Sequence, residues 1–325
     1  MGTSFSTFNS SFSIRNSPFS IQANALTKWY GKEKTIAVDE VSFNVEHGEI
    51  FGLIGPDGAG KSSIFRMLTT LLLPDGGGGS VSGFDIVNDY KQIRNTVGYM
   101  PGKFSLYQDL SVEENLNFFA TVFNTTIEEN YHLIKDIYVQ IEPFKTRRAG
   151  KLSGGMKQKL ALCCALIHKP TVLFLDEPTT GVDPVSRKEF WEMLKRLKKE
   201  GITILVATPY MDEANLCDRI ALIQSGKILT INSPATISAS FPHPILKVKA
   251  NKMSTVIKSL ASLQGVVSCH GFGEYAHVVV EKENDKIIDN IREHLIAQNL
   301  QEIEVRKSEP TIEDVFISLS RNGSN

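Results

Sequence analysis

From Ile21 onward, short apolar and alternating runs read as strands, and later in the chain strands alternate with segments of helical period. That order predicts a sheet covered by helices, an α/β fold. A strand over Glu49 to Ile54 runs into a glycine-rich loop and then a helix beginning near Lys61. The apolar run Thr171 to Leu175 ends in two acids, as expected of a buried parallel strand with functional groups at its carboxyl end. Ile202 to Ala207 repeats that pattern after a helix over Pro184 to Lys199. The stretch from about Leu110 to Lys151 is mostly helical in pattern, which predicts a helical insert projecting from the sheet domain.

A second domain is expected further on. Prolines 234, 242 and 244 mark residues 233–244 as a linker. Beyond it, strand Leu246 to Ala250, helix Ser254 to Leu263, strands Val266 to His270 and His277 to Glu281, helix Asp285 to Gln298 and strand Glu302 to Arg306 form a β-α-β-β-α-β series. Such an order predicts a small α+β, ferredoxin-like domain over 245–325, closed by a helix over Ile312 to Leu319. Residues 1–20, rich in Ser, Phe and Asn, are expected to form a disordered tail, leaving 21–232 for the first domain and about 103–160 for its helical part.

At 325 residues the chain can bury more than one core. Its 35 basic and 36 acidic side chains leave a net charge of -1, so no bulk attraction to nucleic acid is implied. The longest apolar stretches, such as Ala161 to Ile167, are far shorter than the roughly 20 residues that cross a bilayer. Any work at a membrane would need a partner that supplies the spanning helices. Cys163, Cys164, Cys217 and Cys269 show no metal-ligand spacing and fit a reduced compartment.

The chemistry begins with Gly55-Pro56-Asp57-Gly58-Ala59-Gly60-Lys61-Ser62, a G-x-x-x-x-G-K-[ST] loop between a strand and a helix. Its glycines let backbone N–H groups turn toward phosphates, Lys61 adds a point charge, and the Ser62 hydroxyl suits Mg²⁺. Leu173-Phe174-Leu175-Asp176-Glu177 ends a buried strand in two acids, where Asp176 suits the Mg²⁺ shell and Glu177 can polarise a water. Acids there also serve as helix caps, but the phosphate loop predicts a nearby cation for them.

Leu152-Ser153-Gly154-Gly155-Met156-Lys157-Gln158 resembles the signature sequence of the ABC ATPase superfamily, and its spacing from Lys61 and Asp176 matches that family. Physically it is a second helix N-terminus, with Ser153 as cap and Gly154 and Gly155 permitting close approach. The resemblance covers about residues 21 to 231 and implies a P-loop NTPase domain binding ATP and Mg²⁺. It assigns nucleotide contacts to Gly55, Asp57, Gly58, Ala59, Gly60, Lys61, Ser62 and Ser63, the metal to Ser62 and Asp176, and catalysis to Glu177 with Lys61. Tyr30, or less well Trp29, resembles the aromatic that stacks on adenine. Asp183, in Gly181-Val182-Asp183-Pro184, resembles a subunit-joining residue and reads equally as a helix N-cap.

The tail Glu309-Pro310-Thr311-Ile312-Glu313-Asp314-Val315-Phe316 is similar to that of bacterial exporter-type ATPase subunits. The resemblance therefore implies a motor subunit, peripheral on the inner face of the membrane, paired with a second ABC ATPase subunit and a separate transmembrane permease. A non-transport ABC ATPase of translation or DNA repair is the rival class, disfavoured by the single phosphate loop and the lack of long heptads. Two positions depart from the family: Gly102 stands where a Gln is usual, and Pro209 where a His is usual. Neither has a side chain that can ligate a metal or contact a phosphate. Replacing the loop lysine should test the assignment directly: Lys61→Ala is expected to lose most of its Mg-ATP affinity in titration calorimetry, and an unchanged affinity would end the phosphate-loop assignment.

Overall fold

The computed structural model describes residues 17–282 and 285–322. One compact unit ends at Ser233 and a second begins at Pro234.

In the first unit, β1 (Phe19–Tyr30), β2 (Thr35–Glu46) and β3 (Ile50–Ile54) lead into α1 (Lys61–Leu68). β4 (Gly76–Val81), β5 (Phe84–Asp85), α2 (Tyr90–Thr96) and β6 (Val97–Met100) follow. Next come three helices, α3 (Val112–Val122), α4 (Tyr131–Tyr138) and α5 (Gly154–Leu166), then β7 (Val172–Asp176), α6 (Pro184–Lys199), β8 (Thr203–Thr208), β9 (Arg219–Gln224) and β10 (Lys227–Asn232).

These strands make two sheets. One is antiparallel, in the order β2-β1-β4-β5; the other has six strands in the order β10-β9-β3-β8-β7-β6, parallel except at β10. α1 packs against β7 of the larger sheet and against β1, β2 and β4 of the smaller one. Every residue of β3, β7 and β8 is buried, which explains their continuous apolar runs. Register then sets the site. Ile54 lies beside Thr208, and Asp176 beside Ala207, so β3, β7 and β8 all end at one edge.

The helical insert packs α5 against α3 and α4. Ser111 and Glu114 form a reciprocal capping box at the start of α3. Fully buried Asn115 donates to the carbonyls of Tyr107, Leu110 and Ser111, satisfying an otherwise open turn.

Two expectations change at the domain ends. The tail expected over 1–20 does not extend to its expected end: β1 starts at Phe19, and buried Ser20 bonds His47 Nδ1 at 2.7 Å and Thr203 Oγ1 at 2.8 Å. Residues 1–16 lie outside the described residues. The linker expected over 233–244 contains a short helix, α7 (Pro234–Ala239), which buries Ile237 and packs on the last helix. Pro234 is its first residue, where a missing N–H costs nothing, so a proline that looked like a breaker starts a helix instead.

The second unit continues with β11 (Ile245–Lys249), α8 (Met253–Leu260), β12 (Val266–Phe272), β13 (Tyr275–Val280), α9 (Asp285–Ala297), β14 (Glu304–Ser308) and α10 (Ile312–Asn322). The antiparallel sheet order β12-β13-β11-β14 is the ferredoxin-like arrangement. One face, carrying Leu246, Val248, Ala276, Val278 and Val280, builds a core with residues of α8 and α9 such as Val256, Leu260 and Ile291. On β13 the intervening residue His277 is also buried and donates from Nδ1 to Asp314 of α10, at 2.9 Å to Oδ1. Asp314 further accepts from the Thr311 N–H at 2.8 Å and the Thr311 hydroxyl at 2.6 Å.

Burial pushes the Asp314 carboxyl up, but these bonds from His277 and Thr311 outweigh it and hold the group below its ordinary value of 3.8. A depressed carboxylate contributes stability that is present above its unfolded value and lost as pH falls through the folded one. Asp314→Asn should therefore cost about 2 kcal/mol at neutral pH, with the difference from the parent shrinking below about pH 4. Urea titration of amide exchange in α10, run at neutral and acidic pH, checks both parts.

Candidate functional site

The loop after β3 is shaped by atoms that leave no room for side chains. A Cβ on Gly55 would stand 2.1 Å from the Ile223 carbonyl oxygen, and one on Gly60 2.4 Å from that of Ala37. Gly58 and Gly60 also hold left-handed φ of 78° and 102°. The loop therefore wraps a cavity of about 280 Å³, lined by Asp57 to Ser63, Ala37 and Glu177.

Lys61 opens α1 and is only 3% exposed. Its Nζ donates to the carbonyls of Gly55 at 2.8 Å and Pro56 at 2.9 Å, and lies 3.9 Å from the Glu177 carboxylate. Burial lowers its pKa, opposed by the nearby Glu177, Asp57 and Asp176. The Ser62 hydroxyl donates to Asp176 Oδ1 at 3.1 Å, across 114 positions of sequence. A hydroxyl and a carboxylate side by side are the hard oxygen donors that suit a divalent cation such as Mg²⁺. Burial raises the pKa of both Asp176 and Glu177, with Lys61 and, for Asp176, the Ser62 hydroxyl pulling the other way.

Glu177 follows β7 in the left-handed region, φ 51°, and its N–H donates to Ala207 O at 2.8 Å. A glutamate held there is strained, and strain of this kind collects at working sites. Tyr30 ends β1, is 41% exposed, and its hydroxyl lies 3.0 Å from Ser63 Oγ, which places a half-free ring beside the loop. Trp29 instead carries the Lys34 ammonium over its ring at 5.3 Å.

Elsewhere, Ser153 caps α5 by accepting from Met156 N–H at 3.3 Å, and Asp183 caps α6 by accepting from the N–H groups of Val185 at 3.1 Å and Ser186 at 3.0 Å. The bond from Ser186 chiefly holds the Asp183 carboxyl below its usual range. None of Ser153, Gly154, Gly155 or Asp183 lines the loop cavity. Within this chain, then, the structure unites Lys61, Ser62, Asp176 and Glu177 and leaves the signature helix apart.

The ABC transporter family model matches residues 38–180. The probable multidrug ABC transporter ATP-binding protein YbhF of Escherichia coli is 37% identical over 92% of this chain, which spans only 52% of that protein's length. The doxorubicin resistance ATP-binding protein DrrA of Mycobacterium tuberculosis is 30% identical over 92% of this chain and 93% of its own length. The chain belongs to the ABC transporter ATP-binding family. Among solved structures, the dimeric bacterial ABC transporter cassette MJ0796 matches with TM-score 0.60 and 26% identity, covering 66% of this chain and 98% of that one.

The two positions expected to depart from the family pattern, Gly102 and Pro209, both lie close to the site. A Cβ on Gly102 would stand 3.1 Å from Asp176 O and 3.6 Å from Glu177 Cβ, so the residue abuts the paired acids. Pro209 directly follows Thr208, whose carbonyl accepts from Gly55 N–H at 3.3 Å. The signature glycines differ from those of the loop. Around Gly154 the nearest atom to an added Cβ is Gly181 O at 3.8 Å, and around Gly155 it is Ser186 Oγ at 3.7 Å. Their smallness is not required by this chain's own packing.

Sequence reading passed over one buried acid, Glu213, whose carboxylate bonds Thr179 and Thr208 beside the site. No motif marks it: Thr208 lies five residues away across a turn, and Thr179, 34 positions away, is reached only through the fold.

The buried Asp176 also has a measurable cost. An acid whose folded pKa is raised contributes stability in its protonated form that is lost as pH rises through the carboxylate range. Asp176→Asn should hence raise the thermal midpoint of the nucleotide-free protein by about 2 °C at neutral pH, an advantage that vanishes near pH 4 or so. Calorimetric scans across that range measure it.

Proposed function

We propose that this chain is the ATP-binding and hydrolysing motor subunit of an ABC exporter, with a slow hydrolytic site of its own. The observation that carries the reading is the meeting, at the carboxyl ends of β3, β7 and β8, of a glycine cradle, buried Lys61, the Ser62–Asp176 pair and Glu177. Loop N–H groups and Lys61 would bind and orient the β and γ phosphates. Ser62 and Asp176 would hold Mg²⁺, which supplies charge neutralisation across the phosphates when bound. Tyr30 offers an exposed ring to the base. Glu177, raised toward its protonated form by burial, gains basicity for orienting and deprotonating an attacking water.

Pairing with a second cassette is supported by Gly154 and Gly155, whose small size is left without a reason inside this chain and fits a surface outside it. The dimeric MJ0796 cassette points the same way, and the relatives named for multidrug and doxorubicin resistance support the export reading. The exporter reading calls for a membrane permease on whose inner face this subunit would sit; among the described residues no helix is long and apolar enough to cross a membrane. The ferredoxin-like unit would regulate or stabilise the dimer.

Gly102 and Pro209 favour one refinement: a site that binds nucleotide well but turns it over slowly, and so serves a partner's site through Ser153, Gly154 and Gly155 better than its own. Gly102 lies next to Asp176 and Glu177 with ordinary backbone, so a longer side chain needs a shift of only a few tenths of an ångström. The double change Gly102→Gln with Pro209→His should raise steady-state ATPase activity by on the order of 10²-fold, the scale of one positioned catalytic group. A parent already turning over at about the usual several per second would refute the slow-site reading.

A further inference from the structure

Glu213 lies in the short helical turn 211–216 after β8 and is 1% exposed. Its carboxylate accepts two short hydrogen bonds, from Thr179 Oγ1 at 2.6 Å on one oxygen and from Thr208 Oγ1 at 2.6 Å on the other. Arg187 Nε of α6 stands 3.7 Å from the first oxygen, and the same guanidinium lies over the Tyr210 ring at 4.3 Å. Tyr210 N–H in turn donates to Thr208 Oγ1 at 3.1 Å.

Each arm leads somewhere different. Thr208 is the strand end whose carbonyl holds Gly55 of the phosphate loop. Thr179 belongs to the turn that starts at Glu177, and its carbonyl accepts from Val182 N–H at 3.1 Å, just before Asp183. Arg187 lies one turn into the helix that Asp183 caps. A buried carboxylate is an expensive way to fill space, since an apolar side chain would pack there without loss of hydration. What an apolar side chain lacks is directed bonds to both threonines, and with them any means to move the two segments together.

We propose that Glu213 is a positioning residue that transmits the state of the phosphate site, through Thr208 and Thr179, to the segment 179–186 carrying Asp183. It rests on the nucleotide-binding reading above. Glu213 does not line the loop cavity; it sets where the turn after Glu177 and the start of α6 stand when the phosphate loop tightens. Two segments joined by one buried carboxylate form a contiguous hydrogen-bonded link of the kind through which coupling can travel.

Hydrogen exchange read by mass spectrometry on the full chain, with and without Mg-ATP, tests the link in the parent, Thr179→Val, Thr208→Val and Thr179→Ser. In the parent, Mg-ATP should slow exchange over both 55–63 and 179–186. In the two valine variants protection over 55–63 should persist, while that over 179–186 falls by about tenfold. Thr179→Ser, which restores the hydroxyl, should behave as the parent. Unchanged nucleotide-dependent protection of 179–186 in both valine variants would overturn the proposal, as would a rise in exchange that is equal with and without nucleotide, the mark of plain destabilisation. Absence of protection over 55–63 in the parent would overturn the nucleotide reading and this link with it.

Discussion

The molecule's chemistry depends on one constraint: a lysine ammonium, nearly excluded from water, must be held at the point where three parallel strands end. Lys61 keeps its charge there because two loop carbonyls accept from it and Glu177 stands within ion-pair distance. Those carbonyls face it only because Gly55 and Gly60 let the loop press against the backbone of Ile223 and Ala37. Loop shape, sheet register and charge are thus one arrangement, and loss of any part leaves an uncompensated ion in the interior.

The same edge of the sheet stores unfavourable free energy. Asp176 and Glu177 are both pushed toward protonation by burial, and Glu177 sits in a backbone region that glutamate rarely adopts. A site of this kind suits a group that carries both negative charge and a cation. The second unit uses a carboxylate in the opposite sense. Asp314 is fully answered by His277 and Thr311, so its charge is favoured and pins α10 to the sheet.

Glycines at two places in the family pattern do different jobs. In the phosphate loop Gly55 and Gly60 are demanded by contacts inside the chain, at separations no Cβ tolerates, and Gly58 by its left-handed φ. In the signature helix they face open space or ordinary contact distances. The contrast separates glycines that this chain's own packing requires from glycines that it does not, and the motif alone does not show which is which.

What the chain's sequence determined by itself is what contiguous residues encode: the loop with its left-handed glycines, the buried strands as unbroken apolar runs, α6 behind its Asp183 cap, and the β-α-β-β-α-β order of the second unit. Local sterics and hydrophobic period suffice for these. The start of β1 and the helix at Pro234 escaped because Ser and Phe look like tail and Pro looks like a breaker until their burial is seen. Only the tertiary structure decided that Gly102 abuts the two acids, that His277 faces Asp314, and that Glu213 lies between Thr179 and Thr208. Apart from Thr208, five residues before Glu213, these partners meet through strand register and helix packing across distant sequence, where contact depends on the fold as a whole and leaves no mark in any local pattern.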